Sequence, residues 1–216
     1  MVLSIAKAQK MIKDLKNREI SLGRDPKTWY TYENHICGVA QIAKIIAGKL
    51  KTMNPDHLYV MGLLHDICRT EDRRTKRFHG IAGYEKLIQS DPEAARACLL
   101  HTFPWNELPP YRQCATLFYQ RKKDYQFIAD FIRKNPPKDE DYLIQLCDYL
   151  ANKNGFVTIE ERAEEIIERH RNTQDFADIV KINELKEYFE EKIGENIYDL
   201  FKVAAKPAPK SVVKSE

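Results

Sequence analysis

Long apolar runs are missing. Nothing in the 216 residues approaches the roughly 18–20 consecutive apolar positions that a membrane-spanning helix needs. The opening segment MVLSIAKAQKMIKDLKNRE has neither the apolar centre nor the cleavage site of a secretory signal, so a cytoplasmic protein is expected. An excess of one charge is missing too: 35 Lys+Arg stand against 32 Asp+Glu. Lys206, Lys210 and Lys214 against Glu216 account for most of that surplus, which leaves the body nearly neutral, its signs interleaved. The basic stripe of a nucleic-acid binder is absent, so neither nucleic acid nor membrane is expected as a partner. Paired cysteine motifs are also lacking. Cys37, Cys68, Cys98, Cys114 and Cys147 form an odd set without CxxC or CxC spacing, and free thiols are expected. With 43% hydrophobic and 31% charged residues, the composition excludes a disordered or collagenous chain.

Breakers are few. Eight glycines and ten prolines leave long uninterrupted stretches, and none falls between Phe156 and Ile193. The apolar spacing within these stretches is helical. Ile5, Ala8, Ile12 and Leu15 mark one helix, and Ile36, Val39, Ala43, Ile46 and Leu50 a second. Asn54-Pro55 and Asp91-Pro92 read as N-caps followed by proline in the first turn, each opening a further helix. Leu143, Leu146, Cys147 and Leu150 form another stripe, which Asn154-Gly155 is expected to stop. Thr158 to Glu161 is a capping box, and the helical pattern runs on through Phe176, Ile179, Leu185 and Phe189 to Gly194. No run of strands is expected. The pattern predicts an all-α domain over residues 1–202, followed by a disordered Lys/Pro/Ala tail over 203–216.

Three of the six histidines stand where a soluble helix would place apolar residues. His35 shares a face with Val39, Ile42 and Ile46; His65 follows Met61 by one turn; His101 continues the stripe of Ala94, Ala97 and Cys98. Asp148 lies between Ile144 and Ala151, on what should be a buried face, and Asp66 adjoins His65. Buried carboxylates are normally paired or bound to a metal. Nitrogen and oxygen donors without thiolates suit iron, manganese, cobalt, nickel or zinc. Cys68 and Cys98 fall on the same faces, but small apolar packing is the favoured role. His57 lies eight residues before His65, about 12 Å along a helix, and His170 sits in a polar stretch; neither enters the site.

The ordered set His35, His65-Asp66, His79, His101 and Asp148 resembles the H…HD…H…H…D signature of the HD-domain metal-dependent phosphohydrolases. Local contexts are similar as well: Gly62-Leu63-Leu64-His65-Asp66-Ile67-Cys68-Arg69 looks like the family's LLHDIGK segment, His79-Gly80-Ile81-Ala82-Gly83 like its HxxxG element, and Cys147-Asp148-Tyr149-Leu150-Ala151 like its closing helix. The resemblance spans roughly 31–152 and implies an HD-domain helical bundle, with the C-terminal helices 156–202 beyond that core. Among the binuclear members, small bacterial diadenosine tetraphosphate hydrolases look nearest in motif context.

By resemblance, His35, His65, Asp66 and Asp148 would hold one divalent ion. His79, His101 and a bridging Asp66 would hold a second, with iron or manganese favoured for both. A metal-bridging hydroxide would attack a small phosphorylated substrate, with a nucleotide favoured. Asp66 and Arg69 are the catalytic candidates, and Arg69 and Arg74 the candidates for substrate binding. Two features depart from the pattern. Cys68 and Arg69 stand where the family carries Gly and Lys, and 46 residues separate His101 from Asp148, more than the small hydrolases have. This insert contains Phe103-Pro104-Trp105, Pro109-Pro110-Tyr111 and Arg121-Lys122-Lys123, for which helix packing is favoured over substrate selection. Two other readings share the ligand set or its outline: a mixed-valent diiron oxygenase, and a non-catalytic nucleotide-sensing module.

Overall fold

Helices begin where the capping residues stand, in a computed structural model that describes residues 2–170 and 179–201, without the side chains of Arg73, Arg169 and His170. The expected tail over 203–216, Phe176 and the side chain of His170 lie outside the described residues. Ser4 accepts a bond from the Lys7 main-chain N–H as α1 (Ile5–Ser21) starts, and Asp25 caps α2 (Pro26–Lys49). Asn54 accepts from the N–H groups of Asp56 and His57 at the head of α3 (Pro55–Leu64). A single 3-10 turn, Arg69–Glu71, leads into the short α4 (Asp72–Thr75) and then α5 (His79–Leu87). Asp91 caps α6 (Pro92–Leu100). The insert carries a second 3-10 turn, Pro104–Asn106, then α7 (Tyr111–Cys114) and α8 (Lys122–Lys134). Four helices complete the described chain: α9 (Asp139–Tyr149), α10 (Ile159–His170), α11 (Ile179–Ile193) and α12 (Ile197–Leu200). The capping box closes reciprocally, Glu161 N–H to Thr158 Oγ1 at 3.2 Å and Thr158 N–H to Glu161 Oε2 at 3.1 Å. The fold is all-α.

One feature departs from the helical pattern. Helix α9 ends at Tyr149, and the chain then makes a small antiparallel hairpin of β1 (Ala151–Asn152) and β2 (Gly155–Phe156), with Ala151 opposite Phe156. The Asn152 side chain accepts the Asn154 N–H at 2.8 Å, and Gly155 adopts φ +105, a value side chains rarely tolerate. Asn154-Gly155 is therefore part of a hairpin rather than a helix stop, and Ala151 is held where its carbonyl can meet α2.

The buried α3 organises the rest. Leu58 to Leu64 are buried without a break, so the helix is covered on all sides by α1, α2, α6 and α9. Its approach to α2 is close enough that a Cβ on Gly62 would come within 2.8 Å of Ala40 Cα. That contact brings the His35 and His65 segments together. A smaller apolar cluster forms where the insert covers α5 and α6, through Phe78, Ile81, Phe103, Phe118 and Ile128. Trp105 packs edge-on against Tyr142 and Tyr188, so the aromatic residues of the insert serve packing. Among the described residues no helix is long and apolar enough to cross a membrane.

Two predictions follow from this packing. Gly62→Ala gains helix propensity but drives a methyl into the α2 backbone, so a net loss of about 1–3 kcal/mol is expected by chemical denaturation; unchanged stability would mean that the two helices separate freely. The fully buried Asp91 accepts from the main-chain N–H of Leu3 and Ala94 and lies 3.1 Å from His57 Nε2. Burial alone would raise its pKa, but His57 and these two N–H groups outweigh it and hold the carboxyl below its usual value. A carboxyl depressed on folding stabilises the protein above its unfolded pKa and loses that contribution as pH falls through the folded one. Asp91→Asn should therefore cost about 1–3 kcal/mol near neutrality. Its difference from wild type should shrink below about pH 4.

Candidate metal centre

Each of the four histidines is positioned by a different piece of the bundle. His35 lies mid-way along α2, and its Nδ1 is 3.2 Å from the Ala151 carbonyl in the hairpin. His65 and His101 directly follow the last residues of α3 and α6. Their Nδ1 atoms meet carbonyls of the preceding turn, Gly62 at 2.6 Å and Cys98 at 2.9 Å. The last carbonyls of a helix have no partner within it, so an imidazole N–H is a natural cap. His79 opens α5, and its Nδ1 lies 3.1 Å from Asp72 Oδ2. All four Nδ1 atoms thus face acceptors, which assigns the proton to Nδ1 and leaves the lone pair on Nε2.

The four Nε2 atoms turn inward on two carboxylates. His35 and His65 Nε2 lie 2.9 and 3.6 Å from Asp148 Oδ1. His79 and His101 Nε2 lie 3.2 and 3.3 Å from Asp66 Oδ1, and 3.4 Å from each other. The other oxygen of Asp66, Oδ2, is 3.7 Å from His65 Nε2 and 2.9 Å from Arg69 Nη1. Asp66 therefore presents one oxygen to each of two groups of donors. His57, paired with Asp91, stands apart from this centre.

With the proton on Nδ1, Nε2 has none to share across these contacts. His35 Nε2, His65 Nε2, Asp66 Oδ1 and Asp148 Oδ1 are all buried and have no hydrogen-bond partner among the described residues. Facing lone pairs and a buried carboxylate repel unless positive charge lies between them. His35, His65 and Asp148 offer ligand atoms mutually within 4.8 Å, and so do His65, Asp66 and His101. Thiolates do not compete: burial pushes the Cys68 thiol up to about 11, and Cys98 Sγ donates to the Leu64 carbonyl at 3.1 Å. The donor set fits a divalent cation that accepts imidazole and carboxylate.

The protonation tendencies show the same demand. Burial opposes charge on His65 and His79, but Asp66 and Asp148 beside the first, and Asp66 and Asp72 beside the second, raise both above the ordinary imidazole value. Burial dominates at His35 and His101 and lowers them. Asp66 and Asp148 are held well below the usual carboxylate range: burial works against this, and Arg69 and His65 outweigh it for the first, His35 and His65 for the second.

The two candidate arginines differ. Arg69 keeps about half of its side chain exposed while its Nη1 reaches Asp66 Oδ2 at 2.9 Å. Arg74 is turned to Glu19 and Glu71, at 3.6 and 3.9 Å, and does not join the centre. Sequence reasoning passed over three residues. Asp72 backs His79; the Tyr32 hydroxyl donates to the Asp66 main-chain carbonyl at 3.1 Å; and Arg162 on α10 is buried, its Nε without a partner among the described residues, near enough for its charge to lower His35. An acid in a basic loop was the one visible signal for Asp72. The other two depend on contacts distant in sequence.

The HD domain family model matches residues 32–153, which include all six converging side chains. No curated protein and no solved structure matches the chain.

If these lone pairs are to hold a cation, adding Mn(II) to chelator-treated protein should raise its melting temperature. At about a hundredfold excess over Kd the gain is roughly 2.7 kcal/mol, or about 5–10 °C for a chain of this size. Because protons on His65 and His79 compete with metal, the shift should shrink as pH drops from about 8 to about 6. His57→Ala should leave the shift intact; an absent or pH-independent shift would contradict the fit.

Proposed function

The chain belongs to the HD domain family, and from that premise we propose that it is a binuclear metal-dependent phosphohydrolase acting on a small phosphorylated metabolite, with a nucleotide favoured. The family consists largely of metal-dependent phosphohydrolases. The observation that carries the reading to two ions is Asp66, whose Oδ1 faces His79 and His101 while its Oδ2 faces His65. His35, His65, Asp66 and Asp148 would hold one ion, and Asp66, His79 and His101 the other. Histidine and carboxylate donors without thiolate favour iron or manganese. Two such ions supply a hydroxide at neutral pH and neutralise the charge that builds on a phosphoryl oxygen.

The chain's own groups do the rest. Asp66 and Asp148 stay ionised, and the Nδ1 partners keep the four imidazoles in the tautomer that faces inward. Arg69, about half exposed, presents its guanidinium to a substrate phosphate. It cannot serve as a base, because its pKa lies far above neutrality. Arg74 would join only on leaving Glu19 and Glu71. Hydrolysis adds water across one P–O bond: the water oxygen goes to phosphorus and the leaving oxygen takes a proton. We read residues 1–202 as one unit, since Tyr188 of α11 packs against Trp105 of the insert. The unbridged cysteines support a reducing, cytoplasmic setting.

Purified without chelators, the chain should carry close to two transition-metal ions. Without oxygen and with Mn(II), it should release phosphate or a nucleotide from some member of a phosphorylated-metabolite panel. Asp66→Ala should lose most of both metal and turnover. Arg69→Ala should keep its metal while kcat/KM falls by roughly tenfold or more. Turnover that consumes oxygen would move the assignment to the diiron oxygenase, and intact metal without turnover on any substrate would favour the sensing module.

A further inference from the structure

Three of the four histidines are held by main chain, and one is not. The Nδ1 atoms of His35, His65 and His101 meet carbonyls fixed by the hairpin or by a helix end. His79 instead meets the carboxylate of Asp72, 3.1 Å away, the first residue of the four-residue α4. Asp72 Oδ1 is buried and has no hydrogen-bond partner among the described residues, so the contact shown for this carboxylate is the one Oδ2 makes with His79. On the outward nitrogen of His79, Asp72 is the polar contact, while Nε2 turns inward to Asp66 and His101. A carboxylate acceptor orients the ring more firmly than a carbonyl and increases the donor strength of the opposite nitrogen.

We propose that Asp72 is the positioning residue for one ion alone, the one held by Asp66, His79 and His101. The inference rests on the two-ion reading above and adds an asymmetry to it: both histidines of the ion held through His35, His65 and Asp148 are backed by main chain, whereas one of the two histidines of its neighbour, His79, is backed by a side chain of a short segment. That segment is anchored from outside the family match. Arg24 Nη2 donates to the Thr70 carbonyl at 2.9 Å, and Arg18 pairs with Glu71. The same stretch carries Arg69, so one piece of chain holds both the phosphate-facing guanidinium and the carboxylate behind His79.

Mn(II) titration of the full-length, chelator-treated chain, with free Mn(II) followed by electron paramagnetic resonance, tests this. Wild type should bind two ions. Asp72→Ala should hold one ion with wild-type affinity and the other roughly 10- to 100-fold more weakly. Asp72→Asn keeps an oxygen that can accept from Nδ1 and should lose less. Thr75→Ala, in the same short helix, should change neither ion. Two ions at wild-type affinity in Asp72→Ala would overturn the proposal. So would equal weakening of both ions, or the same loss in Thr75→Ala, since either would mark a general disturbance of the segment. A wild-type chain that binds fewer than two ions would overturn the two-ion reading itself, visible before any substitution is made.

Discussion

One fully buried carboxylate, a second whose inward oxygen is buried, and four imidazole lone pairs facing one another require positive charge between them, and the arrangement of the bundle is organised around that requirement. An ionised carboxylate with no partner is among the most expensive groups to bury. Here Asp66 is fully buried and its Oδ1 has no hydrogen-bond partner among the described residues. Arg69 offsets part of that charge through Oδ2, and the carboxylates of Asp66, Asp148 and Asp72 raise His65 or His79 above the ordinary imidazole value. A divalent ion would meet the demand more completely, since imidazole and carboxylate donors both favour it.

The helices deliver those atoms by a repeated device. His65 and His101 each follow the end of a helix and bond back to its last turn, so a helix end supplies an acceptor and a direction at once. His35 uses the hairpin carbonyl in the same way. Gly62 permits the close approach of α2 and α3 that sets these segments side by side, and it also supplies the carbonyl that holds His65. Stability and site geometry thus share one residue.

Much of this was legible in the sequence because it depends on local chemistry. Asn54, Asp91 and Thr158 announce helix starts by capping, and the structure has helices there. His35, His65, His101 and Asp148, singled out by their place on apolar faces, lie together with Asp66 and with His79, which the family signature supplied, and HD-domain membership was legible from their order. The hairpin after α9 was not legible: two residues per strand carry no alternating pattern, and Asn154-Gly155 serves a turn or a helix stop equally well. Arg74 sits in a run of cations whose partners, Glu19 and Glu71, are settled by where α1 lies. Asp72, Tyr32 and Arg162 were missed for a related reason. Their partners are fixed by tertiary packing, and no spacing rule encodes a carboxylate behind an imidazole or a phenol on a carbonyl.

Anomalous diffraction from crystals of the full chain grown with Mn(II) tests the central claim most directly. The account predicts two peaks, one bounded by His35, His65 and Asp148, the other by His79 and His101, with Asp66 between them in contact with both. A single peak would contradict the binuclear centre. The absence of any peak among these side chains would contradict the metal site altogether.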